Sequence, residues 1–194
     1  MHGNGLSTGL RVMIDPAKAF RAAVQSDVRG TWWRAFRTPL TIAVLFGIVT
    51  SIAATGRITA WLVAGQTAAW AFVPALQLLT AMVLVTAARE RRVSFPRAVE
   101  LFFAGHAPWS LWLVFFAASH TVAPSIGMTL LTALVPLVWT ARIVSAYARE
   151  VLALPRRSAR ARAVVHQVAT VLLIVAYIDL ATALSVRVMA MFGS

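Results

Sequence analysis

Between Pro136 and Gln167 the chain reads PLVWTARIVSAYAREVLALPRRSARARAVVHQ. An apolar run carrying Trp139 gives way to Arg142 and Arg149, then to Arg156, Arg157, Arg160 and Arg162, and turns apolar again near Val164. Arginines clustered between two long apolar runs read as a helix leaving a membrane, a cytoplasmic loop, and a helix going back in. This feature limits the fold more than any other. Inside a bilayer each backbone N–H and C=O must be satisfied within its own segment, and runs of this length leave only the α-helix. Composition agrees: 60% of the 194 residues are hydrophobic, 12% are charged and mean hydropathy is +0.78, whereas soluble domains carry roughly a quarter charged residues.

The net charge of +12 does not point to nucleic acid, because the cations sit between apolar runs and do not gather on one folded face. With no cysteine, disulfides, thiolate catalysis and cysteine metal sites are excluded together. Residues 1 to 14 hold one cation, Arg11, and no long apolar core or small-residue cleavage site, which speaks against a signal peptide.

Three regions follow from the pattern: a cytoplasmic and interfacial segment over 1–38, a five-span bundle over 39–188 and a short external tail over 189–194. Asp15 followed by Pro16 predicts a helix start, an N-cap acceptor with proline in the first turn. Beyond it Ala17, Phe20, Val24 and Val28 recur at helical spacing while Lys18, Arg21, Gln25 and Arg29 take the other side. The expectation is an amphipathic helix on the membrane surface, its cations on anionic headgroups; the alternative is a helix packed on the protein's own loops. Gly30 ends it. Trp32, Trp33 and Phe36, with Arg34 and Arg37 beside them, then belong at headgroup depth.

Span 1 is expected from Pro39 to Thr55, with a brief exit at Gly56 and Arg57, and span 2 within Ile58 to Ala88, bent at Pro74. Gln66 and Gln77 lie eleven residues apart, close to three turns, so in one continuous helix they share a face with Thr80. That polar line serves either hydrogen bonds between helices or a substrate path. Span 3 covers Leu101 to Ser119, interrupted at Gly105, His106 and Pro108. His106 stands one turn before Ser110 and is either a capping residue or a functional one. Span 4 covers Ile126 to Tyr147, and span 5, Val164 to Val186, contains Asp179, the one acid deep in any span. Threaded this way, sixteen of the eighteen cations are inside and Arg57 and Arg187 are outside. The bias places the amino terminus in the cytoplasm and the carboxyl terminus outside the inner membrane.

Asp179 lies between Ala176 and Ala183 of a seven-residue alanine repeat, Ala169, Ala176, Ala183 and Ala190. It is therefore expected to face the bundle interior, either as a fastener paired with Arg57 or Arg187 or as a proton or solute site. No catalytic constellation is present: the sequence has no phosphate-binding glycine loop and no His-Glu-x-x-His pair. The spacing of its four histidines suggests no metal site, and nothing calls for a cofactor. DPAKAFRAA ahead of the interfacial segment, SFPRAVELFFAGHAPW at span 3 and VWTARIVSAYAREVLALPRRSARAR after span 4 together resemble the bacterial branch of the Ypt-interacting protein (Yip) domain family. The resemblance implies a five-helix membrane bundle with a cytoplasmic amino terminus, and no catalytic residues. The expected function is thus a non-enzymatic inner-membrane scaffold meeting a membrane or cytoplasmic protein partner, with a permease-like subunit for a small solute as the alternative.

Overall fold

The computed structural model describes residues 5–26, 30–88, 90–118 and 126–192, and these are all-α, with no strand among them. Two short helices, α1 (Gly5–Ile14) and α2 (Pro16–Gln25), meet at Asp15, whose carboxylate accepts the Lys18 N–H at 3.1 Å. The expected cap is present. Helix α3 (Trp32–Thr55) starts earlier than Pro39, because Thr31 accepts the Arg34 N–H at 3.4 Å and so begins the helix at the tryptophans. It stops at Gly56, whose φ of 66° is the left-handed conformation that a side chain opposes. Before α3, Gly30 is pressed against the Arg97 backbone, where a Cβ would stand only 2.6 Å from the Arg97 Cα.

Helices α4 (Ala60–Trp70) and α5 (Phe72–Thr86) form one kinked stretch. Pro74 has no N–H to give the Trp70 carbonyl four residues back, and its ring crowds that carbonyl, so the helix breaks at Ala71. The same chemistry separates α6 (Phe95–Ala104) from α7 (Ala107–Ala118). Pro108 cannot bond the Ala104 carbonyl, and the chain tightens through Gly105 N–H to Phe102 O at 2.9 Å and His106 N–H to Phe103 O at 3.1 Å. Helix α8 (Ile126–Glu150) is followed by α9 (Arg156–Phe192). The basic residues expected to form a loop, Arg156 to Arg162, are instead the first turns of α9. Only 151–155 turn, closed by Leu154 N–H to Ala148 O at 3.1 Å, with Ala153 at a φ of 54°.

Among the described residues, three stretches are long and apolar enough to cross a membrane: Trp32–Ala53, Ala60–Thr86 and Leu131–Glu150. Their outward faces carry large apolar side chains such as Trp61 and Val138, 84% and 68% exposed, as a chain solvated by lipid requires. The packed core lies toward the end where the two arginine-rich connections meet. There Arg92 N–H donates to Val151 O at 3.0 Å, the Arg92 guanidinium stands 3.8 Å from Glu150, and Arg162 Nη2 donates to Ala87 O at 3.3 Å. Both connections thus belong to one end of the bundle.

The apolar side of α2 does not face outward. Phe20 and Pro16 are buried, and Phe20 meets Tyr147 of α8 edge-on at 5.6 Å between ring centroids. Trp139 of α8 also donates its indole N–H to Met13 O at 3.0 Å. This corrects the expectation of an apolar face laid in the bilayer: the face is spent on the protein. Lys18 and Arg21 remain exposed, as do Trp32 and Trp33, whereas Arg29 and Val28 fall outside the described residues.

Candidate functional site

A buried side-chain pair joins the α6–α7 turn to α9. His106 and His166, sixty positions apart, bring their Nε2 atoms to 3.0 Å. Both are buried, at 2% and 6% exposure. The His106 Nδ1 lies 3.1 Å from the Phe102 carbonyl oxygen, which can only accept, so Nδ1 carries a hydrogen. In neutral His106 the Nε2 is then bare, and the bond between the rings is donated by His166 Nε2–H, a tautomer assigned from its partners.

Phe102 forms the wall of this pair. Its ring centroid is 4.4 Å from that of His106, 5.2 Å from His166 and 5.7 Å from Tyr147. The Tyr147 hydroxyl donates to Ala98 O at 2.8 Å. An unbroken series of ring contacts therefore runs from Phe20 on α2, through Tyr147 and Phe102, to the histidines. Several buried polar atoms of the same helices and of α5 have no partner: Ser110 Oγ on α7, Thr140 Oγ1 on α8, Gln167 Nε2 and Thr170 Oγ1 on α9, and Gln77 Oε1 on α5. Ser110 and Thr170 each stand one helical turn beyond a histidine of the pair.

His106 is thus central, and its side chain joins His166 and not Ser110 one turn on, whose hydroxyl oxygen has no partner. Gln77 is buried and Gln66 only half-buried. Their eleven-residue spacing sets a common face only in a continuous helix, and the break at Ala71 interrupts it. Thr80 donates its hydroxyl to the Gln77 backbone carbonyl at 3.0 Å.

Asp179 is exposed and does not face the interior. The buried residues Ala159, Ala163 and His166 set the inward side of α9, lying within about 60° of one another at 100° per residue. Asp179 is about 220° around from His166, with Ala169 and Ala176 within about 80° of it. Of the alanine repeat, Ala176 is exposed and Ala169 half-buried, while the side chains of Ala183 and Ala190 lie outside the described residues. Arg57 does not pair with Asp179; its side chain is exposed, and its backbone bonds Ser51 and Thr55 at 2.9 and 3.2 Å. The Arg187 side chain lies outside the described residues.

His166, Gln167 and Thr140 escaped the sequence reading. The usable signal was threading: if spans 3 and 5 both run outward, two histidines soon after basic segments reach similar depth. Among the described residues no three of His, Cys, Asp or Glu come together. A cleft at the arginine-rich end, lined by Ala87, Glu90, Leu152, Ala153, Leu154 and Arg162, has a volume of about 200 Å³. No family model, no curated protein and no solved structure matches this chain.

Proposed function

We propose that the chain is a non-enzymatic, five-span protein of the bacterial inner membrane that acts as a scaffold, binding another membrane protein through the outer face of α9. The observation that carries this is the position of Asp179. A carboxylic group roughly 22 Å along the helix from Val164 lies well inside a ~30 Å hydrocarbon core, where exposure to lipid costs several kcal/mol unless another helix answers it. Its neighbours suit such a helix: Ala176 is small and exposed, and Leu172, Val175 and Leu180 are 62%, 49% and 61% exposed. The Yip-like segments support the same reading, as does the clustering of exposed cations, Lys18, Arg21, Arg156, Arg157 and Arg160, fit for anionic headgroups.

The chain has no cysteine, so a single cysteine at Ala176 reports this face without background. In native membranes a bifunctional thiol–amine reagent should give one discrete adduct, and Asp179→Leu should abolish it. No adduct, or an adduct indifferent to Asp179→Leu, refutes the scaffold reading. Topology has its own check: a reporter fused after Ser194 should be active only outside the cytoplasm and one at Ser158 only inside. Activity of both on one side removes a span.

The unpartnered polar atoms of Gln77, Thr140, Gln167 and Thr170 favour a second reading, a permease-like subunit whose solute would meet those groups. Solute co-purifying in stoichiometric amount, and lost in Thr140→Val, would select it.

A further inference from the structure

We infer that His106 and His166 form a binding site for one soft monovalent metal ion, copper(I) being the ion that their chemistry fits. The two Nε2 atoms confront each other at 3.0 Å with ring planes at 88°. Two imidazole nitrogens aimed at one point are a ligand pair before any ion arrives. The hydrogen bond from His106 Nδ1 to Phe102 O at 3.1 Å is the outer contact by which ligating histidines are held with Nε2 bare. Neutral His166 reaches the same state by moving its hydrogen from Nε2 to Nδ1, so an ion enters with no net release of a proton.

The surroundings select the charge. The ring of Phe102 covers both imidazoles, and no third His, Cys, Asp or Glu joins them among the described residues. The cost of moving an ion out of water rises with the square of its charge, so a divalent ion held by two neutral ligands is disfavoured where a monovalent one is not. Coordination number points the same way. Zinc needs four ligands, whereas a filled-shell monovalent ion is satisfied by two imidazoles in line, which copper accepts. Such a line needs the nitrogens about 4 Å apart. The place where the chain can give is the Gly105–His106 turn, whose own N–H groups bond three residues back and not four, while the His106 carbonyl accepts the Ser110 N–H at 3.1 Å and so starts α7. One helical turn beyond His106, the buried Ser110 hydroxyl oxygen has no partner and is free to rotate toward the added charge.

The test uses the full-length chain in detergent carrying His2→Ala and His120→Ala, with copper(I) delivered from a chromophoric chelator. One copper(I) per chain is expected, and X-ray absorption should show two nitrogen neighbours and no sulfur. His106→Gln and His166→Gln should each weaken binding by about a hundredfold or more. The chain has six methionines, so a sulfur shell would mean binding elsewhere and would overturn the proposal, as would no binding or an affinity unchanged from the parent in either variant. Should either variant fail to fold, the nitrogen-or-sulfur result on the parent chain decides alone.

Discussion

Replacing Phe102 by Ala should lower the unfolding free energy by ~3–5 kcal/mol, the range for deleting a fully buried aromatic ring. Phe102 is 1% exposed, and its ring meets His106, His166, Tyr147 and Phe103 at once. No single neighbour can collapse into the space, because each is held by its own bond: Tyr147 to Ala98 O, and the two histidines to one another. A residual cavity then adds its own cost to the lost transfer energy. The change should also loosen α2, since Phe20 rests on Tyr147 and Tyr147 on Phe102. Thermal unfolding in mild detergent, with proteolysis at Lys18 and Arg21 as a second readout, measures both effects. Phe115→Ala is the control: that ring is 72% exposed, so its loss should change the melting temperature little. Equal effects of the two substitutions would mean that the ring series is not the core.

Several pieces of local chemistry were read correctly from the sequence, although the Thr31 cap that starts α3 at Trp32 was not. The Asp15–Pro16 cap, the exit at Gly56, the break ahead of Pro74 and the interruption at Gly105–Pro108 each follow from a missing N–H, a side-chain acceptor or a left-handed turn. The errors came where a face had to be matched to what covers it. Periodicity showed that α2 has an apolar side, but bilayer and protein leave the same pattern, and Phe20 is covered by Tyr147. The alanine repeat on α9 showed a surface suited to close packing and could not say whose helix uses it. The inward side of α9 is set by Ala159, Ala163 and His166, and a histidine in an apolar run carries little weight until its partner sixty positions away is known. Basic residues between apolar runs suggested a loop, yet arginine is a good helix former, and after Pro155 nothing opposes a helix.

Gly47→Ala should weaken the helix pair α3–α4, Gly47→Leu should weaken it further, and the effect of alanine should reverse in sign at a second glycine eighteen positions on, Gly65. Helices in a bilayer gain little from burying apolar surface against one another, so their association depends on how closely the backbones approach. Gly47 is where α3 and α4 touch. A Cβ there would collide with the Thr67 hydroxyl and stand 2.9 Å from both the Thr67 nitrogen and the Val63 carbonyl oxygen. The hydroxyl could rotate away, but the backbone atoms can move only if the helices separate. Gly47→Ala should therefore cost ~1–3 kcal/mol, the range for overpacking, and Gly47→Leu more. Gly65 lies on α4 of the same pair, in helical conformation, with nothing within 4 Å of its Cβ position. There alanine meets no obstacle and restricts the unfolded chain, so Gly65→Ala should raise stability by ~0.5–1 kcal/mol. Unfolding of the two alanine variants in the same detergent gives the comparison. Destabilisation by Gly47→Ala together with a gain from Gly65→Ala supports a backbone-to-backbone crossing at Gly47; equal and small effects at both would place the crossing elsewhere.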